Sequence, residues 1–270
     1  MTLICLVLIL LSGTMLIIGY KLIRYESIIK RTAHDIQKIV NKYYNNYISE
    51  VLKDFNIIVF SGVDGSGKTT QVKLLKTFLN SKHVKARVFW FRWTAFFSYY
   101  LYLYAILTRR TLRVKVGDRK LKIHIFYMDG ALGKLYPTFQ LIDFWLKYLA
   151  LMVYIKIKRI HVVIFDRFIL DLIVDLLWET RNHTIFRNML LRILIGKMMK
   201  WRTIIFTAEI PTVVNRKTDV LNVRELLFKK RVFSILAEKL NIPIIDTSHK
   251  SKILTFKELL QRLQIPHEML

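Results

Sequence analysis

The sequence predicts an α/β protein: a three-layer sandwich with a parallel central sheet, preceded by one transmembrane helix and an amphipathic stalk helix. Three observations predict it. Residues 1–20 carry no charged side chain. A G-x-x-x-x-G-K-[ST] segment, Gly62 to Thr69, stands between a short apolar run and a helical pattern. Further short apolar runs with polar ends alternate with helix-period stretches toward the C-terminus. Strands alternating with helices imply a parallel sheet covered on both faces, whose ligands gather at the carboxyl ends of the strands.

Size and composition set limits on this reading. A chain of 270 residues accommodates one substantial α/β domain and an appendage. With 53% hydrophobic residues and a mean hydropathy of +0.31, part of it is expected to meet lipid, and disorder is not expected. Forty-four Lys and Arg against 19 Asp and Glu give a net charge of +25, which favours polyanions as partners without choosing among them. The single cysteine, Cys5, rules out an intrachain disulfide. The seven histidines show no H-E-x-x-H spacing and there is no G-x-S-x-G, so metalloprotease and serine-hydrolase chemistry is not expected.

About 18 apolar-rich residues at a helical rise of 1.5 Å cover roughly 27 Å, close to the hydrocarbon thickness of a bilayer. Residues 1–20 are therefore read as a retained transmembrane helix. A cleaved signal would show a basic start and a clearer cleavage site than "LSGT". Lys21, Arg24, Lys30 and Arg31 follow the apolar stretch and nothing basic precedes it, which places the C-terminal side in the cytoplasm as a single-pass protein. Residues 21–54 form the stalk, with Ile29, Ile36, Ile39, Val40, Tyr43, Tyr47 and Val51 on one side of a helix. Two readings of it stand, a helix packed on its own domain and a dimerising coil. The heptad register slips after Tyr47.

The domain at 55–270 opens with "NIIVF", a buried-strand pattern that aims the loop, and the loop runs into "KTTQVKLLKTFLN", with apolar residues at helical spacing. This is the strand, loop and helix context that a phosphate-binding P-loop requires: glycines let backbone N–H groups turn toward phosphate, and the helix N-terminus adds its positive end. The fold expected is thus that of a P-loop NTPase. Gly62, Val63, Asp64, Gly65, Ser66, Gly67, Lys68, Thr69 and Thr70 are the expected ATP-binding residues. Lys68 would reach the β and γ phosphates, and the Thr69 hydroxyl would ligate Mg²⁺. Downstream, "HVVIFDRF" is a strand run that ends in an acid and a base. Asp166 would hold the Mg²⁺ hydration shell, and Arg167 would neutralise a phosphoryl group in transfer. "TIIFTAEI" and "IPIIDTS" are the remaining strand candidates.

With those motifs in order, the chain from about Asn56 to the end resembles the thymidylate kinase family of P-loop nucleoside monophosphate kinases. "GVDGSGKTTQ" is similar to that family's loop, "FDRFILD" to its DR[YF] segment, and Thr207 to Ser248 to its strand, lid, helix and strand. The resemblance implies transfer of the γ-phosphate of ATP to a nucleoside monophosphate, nominally dTMP, with nucleotide substrates as partners and a possible homodimer. It also implies that Asp64 approaches the acceptor's sugar, that Arg167 contacts its phosphate, and that Arg216 and Lys217 belong to a lid closing over ATP. Because Ser66 is not basic, the lid would supply the catalytic cation, with Arg216 the first choice and Arg224 the second. Two departures concern the acceptor. "FWFRWTAFFS" lacks the family's Arg-Glu-Pro-Gly-Gly-Thr segment, leaving Arg92 as the acceptor-binding arginine, and "QLIDFWLKYL" lacks its Asp-Arg pair.

Basic segments 109–122 and 181–202 carry seven bases against one acid and six against none. Two readings stand for each, a surface for anionic lipid or a solvated basic face. Nucleic acid is not the expected partner, because a binding adaptor has little need of Lys68, Thr69, Asp166 and Arg167 together. "AFFSYYLYLYAIL" and "LIDFWLKYLALMVYI" each fall short of an unbroken span and are read as core or interface helices. Asp171 and Asp175 lie four apart on one helix face. They either point toward the site or serve as cap and solvated residues.

Overall fold

The computed structural model describes residues 56–92, 96–116, 119–216 and 222–263, together with Ser27, Lys30, Arg31, His34 and Asp35 of the preceding segment. The expected transmembrane helix at 1–20, most of the expected stalk, and Lys217 lie outside the described residues.

Side chains that alternate along the strands divide the core in two. In β1 (Asn56–Gly62), Ile57 and Val59 enter one apolar layer while Ile58 and Phe60 enter the other. β5 (Val162–Asp166) and β6 (Arg202–Thr207) repeat the pattern, with Val163, Phe165 and Ile205 on the first side and Val162, Ile164, Ile204 and Phe206 on the second. Runs buried on both faces belong to a parallel sheet. Five strands form one, in the order β2-β5-β1-β6-β7, with β2 at Ala86–Trp90 and β7 at Ile244–Asp246. The pairings β1 with β5, β1 with β6, β2 with β5 and β6 with β7 are all parallel. The structure is therefore the layered α/β arrangement expected.

Helices cover both faces. The second layer is closed by α1 (Lys68–Ser81) and α8 (Lys252–Arg262), through Val72, Leu75, Leu79, Leu259 and Leu260. The first is closed by α3 (Gly130–Ile157), α4 (Ile169–Thr180), α5 (Met189–Met198) and α7 (Val223–Leu240). At its centre Phe165 stacks on Phe168 with centroids 4.7 Å apart, and Phe91 meets Phe144 edge-on at 4.6 Å. Of the described helices, α3 alone is long and apolar enough to cross a membrane. Its inner side, with Tyr136, Leu141, Phe144 and Tyr148, is buried in this core.

A further helix agrees with the sequence reading, and the basic segment that follows it differs. Residues 98–107 form α2 (Ser98–Leu107), whose N-terminus is capped from another helix. The backbone N–H groups of Phe96, Phe97 and Ser98 all donate to the Asp143 carboxylate at 2.9 Å. Asp143 is thus the structural partner of α2. The basic segment 109–122 forms an antiparallel hairpin of β3 (Thr111–Val116) and β4 (Arg119–His124), in which Val116 pairs with Arg119 across a two-residue connection. Residues 183–187 form a 3₁₀ turn ahead of α5, with Ile185 and Leu194 buried and Met189 exposed.

Candidate active site

The candidate residues collect at the carboxyl edge of the sheet because each follows or ends a parallel strand. The loop 62–67 leaves β1, Arg92 lies two residues beyond β2, Asp166 ends β5, and Thr247 follows β7. Sheet order then places Arg92 and Arg167 on one side of the loop, and Thr247 on the other.

Two glycines shape the loop. Gly62 has φ +131°, and a Cβ there would lie 2.0 Å from the Phe206 carbonyl oxygen, so only glycine lets β1 pass β6 at that point. Gly67 has φ +81°, and a Cβ there would meet nothing within 4 Å, which leaves the concave side of the loop open at the start of α1. Backbone amides at a helix N-terminus are a ready anion site. The Lys68 ammonium lies over this loop, donating to the carbonyls of Gly62 at 2.6 Å and Val63 at 2.7 Å. Burial pulls its pKa down, the Arg167 charge adds to that, and Asp64, Asp171 and Asp166 oppose it, with the result at about 8.

The Thr69 hydroxyl donates to Asp166 Oδ2 at 3.1 Å. The other Asp166 oxygen is buried with no hydrogen-bond partner among the described residues. A hydroxyl beside a half-satisfied carboxylate fits Mg²⁺, which takes one or two protein oxygens and completes its shell with phosphate and water. No cluster of three metal-ligating side chains occurs among the described residues.

On the β2 and β5 side, Asp64 of the loop is the centre of a charge network. It accepts from Arg167, in a short ion pair, and from Arg92 at 3.3 Å, and it lies 4.0 Å from the Lys68 ammonium. Burial raises the Asp64 carboxyl, but Arg167, Lys68 and Arg92 outweigh it and hold the group well below the usual carboxylate range. Arg92 also grips Asp175 with two bonds, of 2.9 and 3.2 Å. Asp175 in turn accepts from Lys229 at 2.7 Å, and Lys229 reaches Glu225 at 2.8 Å. Arg167 has φ +74°, held there as its N–H donates to the Phe60 carbonyl at 2.8 Å, and it pairs with Asp171 at 3.5 Å.

Asp171 and Asp175 are both buried beside the loop, as the site-facing reading expected, and neither is solvated; Asp171 also takes the cap role, accepting from the Phe168 N–H at 3.3 Å. Lys229 and Glu179 were not predicted as site residues, and Asp175 was so only in one of two readings. The spacing of Asp171 with Asp175 and of Glu225 with Lys229 was the available signal. Glu179 is buried beside them; burial and then the Asp175 charge push its carboxyl well above the ordinary value.

On the far side, Arg216 donates to the hydroxyl and the carbonyl of Thr247, at 2.9 and 2.8 Å, and that hydroxyl donates to the Ser66 carbonyl at 3.0 Å. The expected lid cation thus lies one residue from the loop, at the end of α6 (Ile210–Arg216). Arg224 is exposed in the first turn of α7.

No protein-family profile matches the chain, and no curated protein matches it. Among solved structures it is similar to the thymidylate kinase of Ehrlichia chaffeensis, with 16% identity and a TM-score of 0.47, over 78% of this chain and 98% of that one.

Proposed function

We propose that the protein is a membrane-anchored kinase whose cytoplasmic domain uses ATP and Mg²⁺ to phosphorylate a nucleoside monophosphate, nominally dTMP. The observation that carries this reading is the convergence of Lys68, Arg92 and Arg167 on Asp64. One lysine in the loop suffices to hold a triphosphate. Two arginines on the adjoining strand ends supply the charge for a second phosphorylated molecule, placed beside the loop.

In this reading the loop amides and Lys68 hold the ATP phosphates. Thr69 and Asp166 would hold Mg²⁺, which would neutralise charge on the phosphate oxygens. Arg92 and Arg167 orient the acceptor phosphate and offset the charge of the group in transfer. The bond from the γ-phosphorus to the bridging oxygen breaks, the bond to an acceptor phosphate oxygen forms, and ADP leaves. Asp64 keeps both arginines aimed at one place, and Arg216, released from Thr247, would close on the phosphates from the lid side. Catalysis is mostly positioning and charge neutralisation.

Lys68→Ala is expected to lower turnover by about 100- to 1,000-fold or more, with circular dichroism unchanged. Turnover equal to the parent would contradict the assignment. A second reading has the same chemistry on a different, membrane-associated phosphorylated acceptor. It is favoured by Asp143, which is committed to capping α2 and is not paired with an arginine at the site.

A further inference from the structure

The outer side of α2 and α3 is apolar and uncovered. On α2, Tyr99, Tyr100, Leu103, Tyr104 and Leu107 form one stripe, with Tyr100 72% and Leu107 82% exposed. Phe96, just ahead of the helix, extends it. On α3, Leu146, Leu149, Val153 and Ile157 are exposed at helical spacing opposite the buried side of that helix. The helices are neighbours, tied by Ser98 and Asp143 at 2.6 Å. Exposed apolar surface on this scale marks an interaction site.

Charge says what covers it. From Gly130 to Arg159 the only acid is Asp143, which is buried, and Lys134, Lys147, Lys156, Lys158 and Arg159 are the charged remainder. The β3–β4 hairpin follows α2 directly, and its register sets Arg113 opposite Lys122 and Lys115 opposite Lys120. Like charges set at paired positions destabilise a strand pair. A second copy of a chain with net charge +25 would bring like charge to like charge. An anionic bilayer would neutralise the bases, while tyrosines settle at its interface and aliphatic side chains enter below them.

We propose that the exposed side of α2 and α3, with the β3–β4 hairpin, docks on an anionic lipid surface. α3 then lies along the bilayer and does not cross it, because its inner side belongs to the core. Docking would hold the sheet's β2 edge, and Arg92 beyond it, close to the headgroups. The inference stands apart from the kinase reading, since it concerns a different face and its test reads no turnover.

The test uses the full-length chain with Cys5→Ser and a single new cysteine, Tyr100→Cys, Leu149→Cys or Lys76→Cys, each carrying an environment-sensitive fluorophore. Lys76 is exposed on α1, across the sheet. The proteins are reconstituted in phosphatidylcholine vesicles with or without phosphatidylserine, and shallow spin-labelled lipid is the quencher. The expected result is strong quenching at 100 and 149 with phosphatidylserine, weaker quenching without it, and none at 76. Arg113→Gln, Lys115→Gln, Lys120→Gln and Lys122→Gln together should remove the dependence on phosphatidylserine. Equal quenching at all three positions would show tethering without docking and overturn the proposal. Unquenched labels at 100 that form excimers between copies would overturn it in favour of a self-association face.

Discussion

Lys68 sits where its charge is most useful and least comfortable. Buried against its own loop with a pKa of about 8, it is protonated below that pH and loses its charge as pH rises through it. Affinity for ATP should therefore be flat below pH 8 and fall above it, and titration calorimetry from pH 7 to pH 9.5 would detect this. Unchanged affinity at pH 9.5 would mean that Lys68 does not bear on the phosphates. Glu179 titrates in the other direction. Its folded pKa is raised, chiefly by burial, so its contribution to stability is complete below the ordinary glutamate value and is lost as pH rises through the raised one. Glu179→Gln should leave stability below the ordinary glutamate value, at about pH 4, nearly unchanged and make the protein more stable than its parent at high pH, as read by urea unfolding at both. A variant that follows the parent's pH dependence would place the Glu179 carboxylate in its charged form throughout.

Helices α4 and α7 meet at the site through one carboxylate. Asp175 holds Arg92 from the β2 side and Lys229 from α7, so Asp175→Asn leaves two buried cations short of a counter-charge. Breaking a buried pair in this way typically costs about 3 kcal/mol. The expected outcome is a stability loss near that size together with a raised KM for the acceptor, since Arg92 loses its support; a stability loss with KM unchanged would make the network structural only. At this scale the sequence was informative in part. The strands at 56, 162, 202 and 244 announced themselves as apolar runs with polar ends, and the loop by its glycines. Asp175 and Lys229 did not, because their pairing joins residues 54 apart in sequence, and local spacing gives only half of each contact. The hairpin at 111–124 was legible as an alternation of apolar and basic residues, and was missed because its charge drew the reading toward a surface role.

Across the whole molecule, sheet order converts scattered motifs into one site. β5 lies between β2 and β1, so Arg92, Arg167 and the phosphate loop stand side by side although they are widely separated along the chain. The uncovered side of α2 and α3 faces away from the core that α3 completes. The same helix thus serves the fold on one side and an external surface on the other. The central claim is phosphoryl transfer to a nucleoside monophosphate. Its most direct test is ADP formation by the detergent-purified full-length protein with ATP and Mg²⁺, offering dTMP, dUMP and the other nucleoside monophosphates in parallel, beside Lys68→Ala. The expected result is ADP release that depends on a nucleoside monophosphate, is strongest with dTMP, and is lost in the variant. Tight ATP binding with no acceptor-dependent ADP from any of them would contradict it.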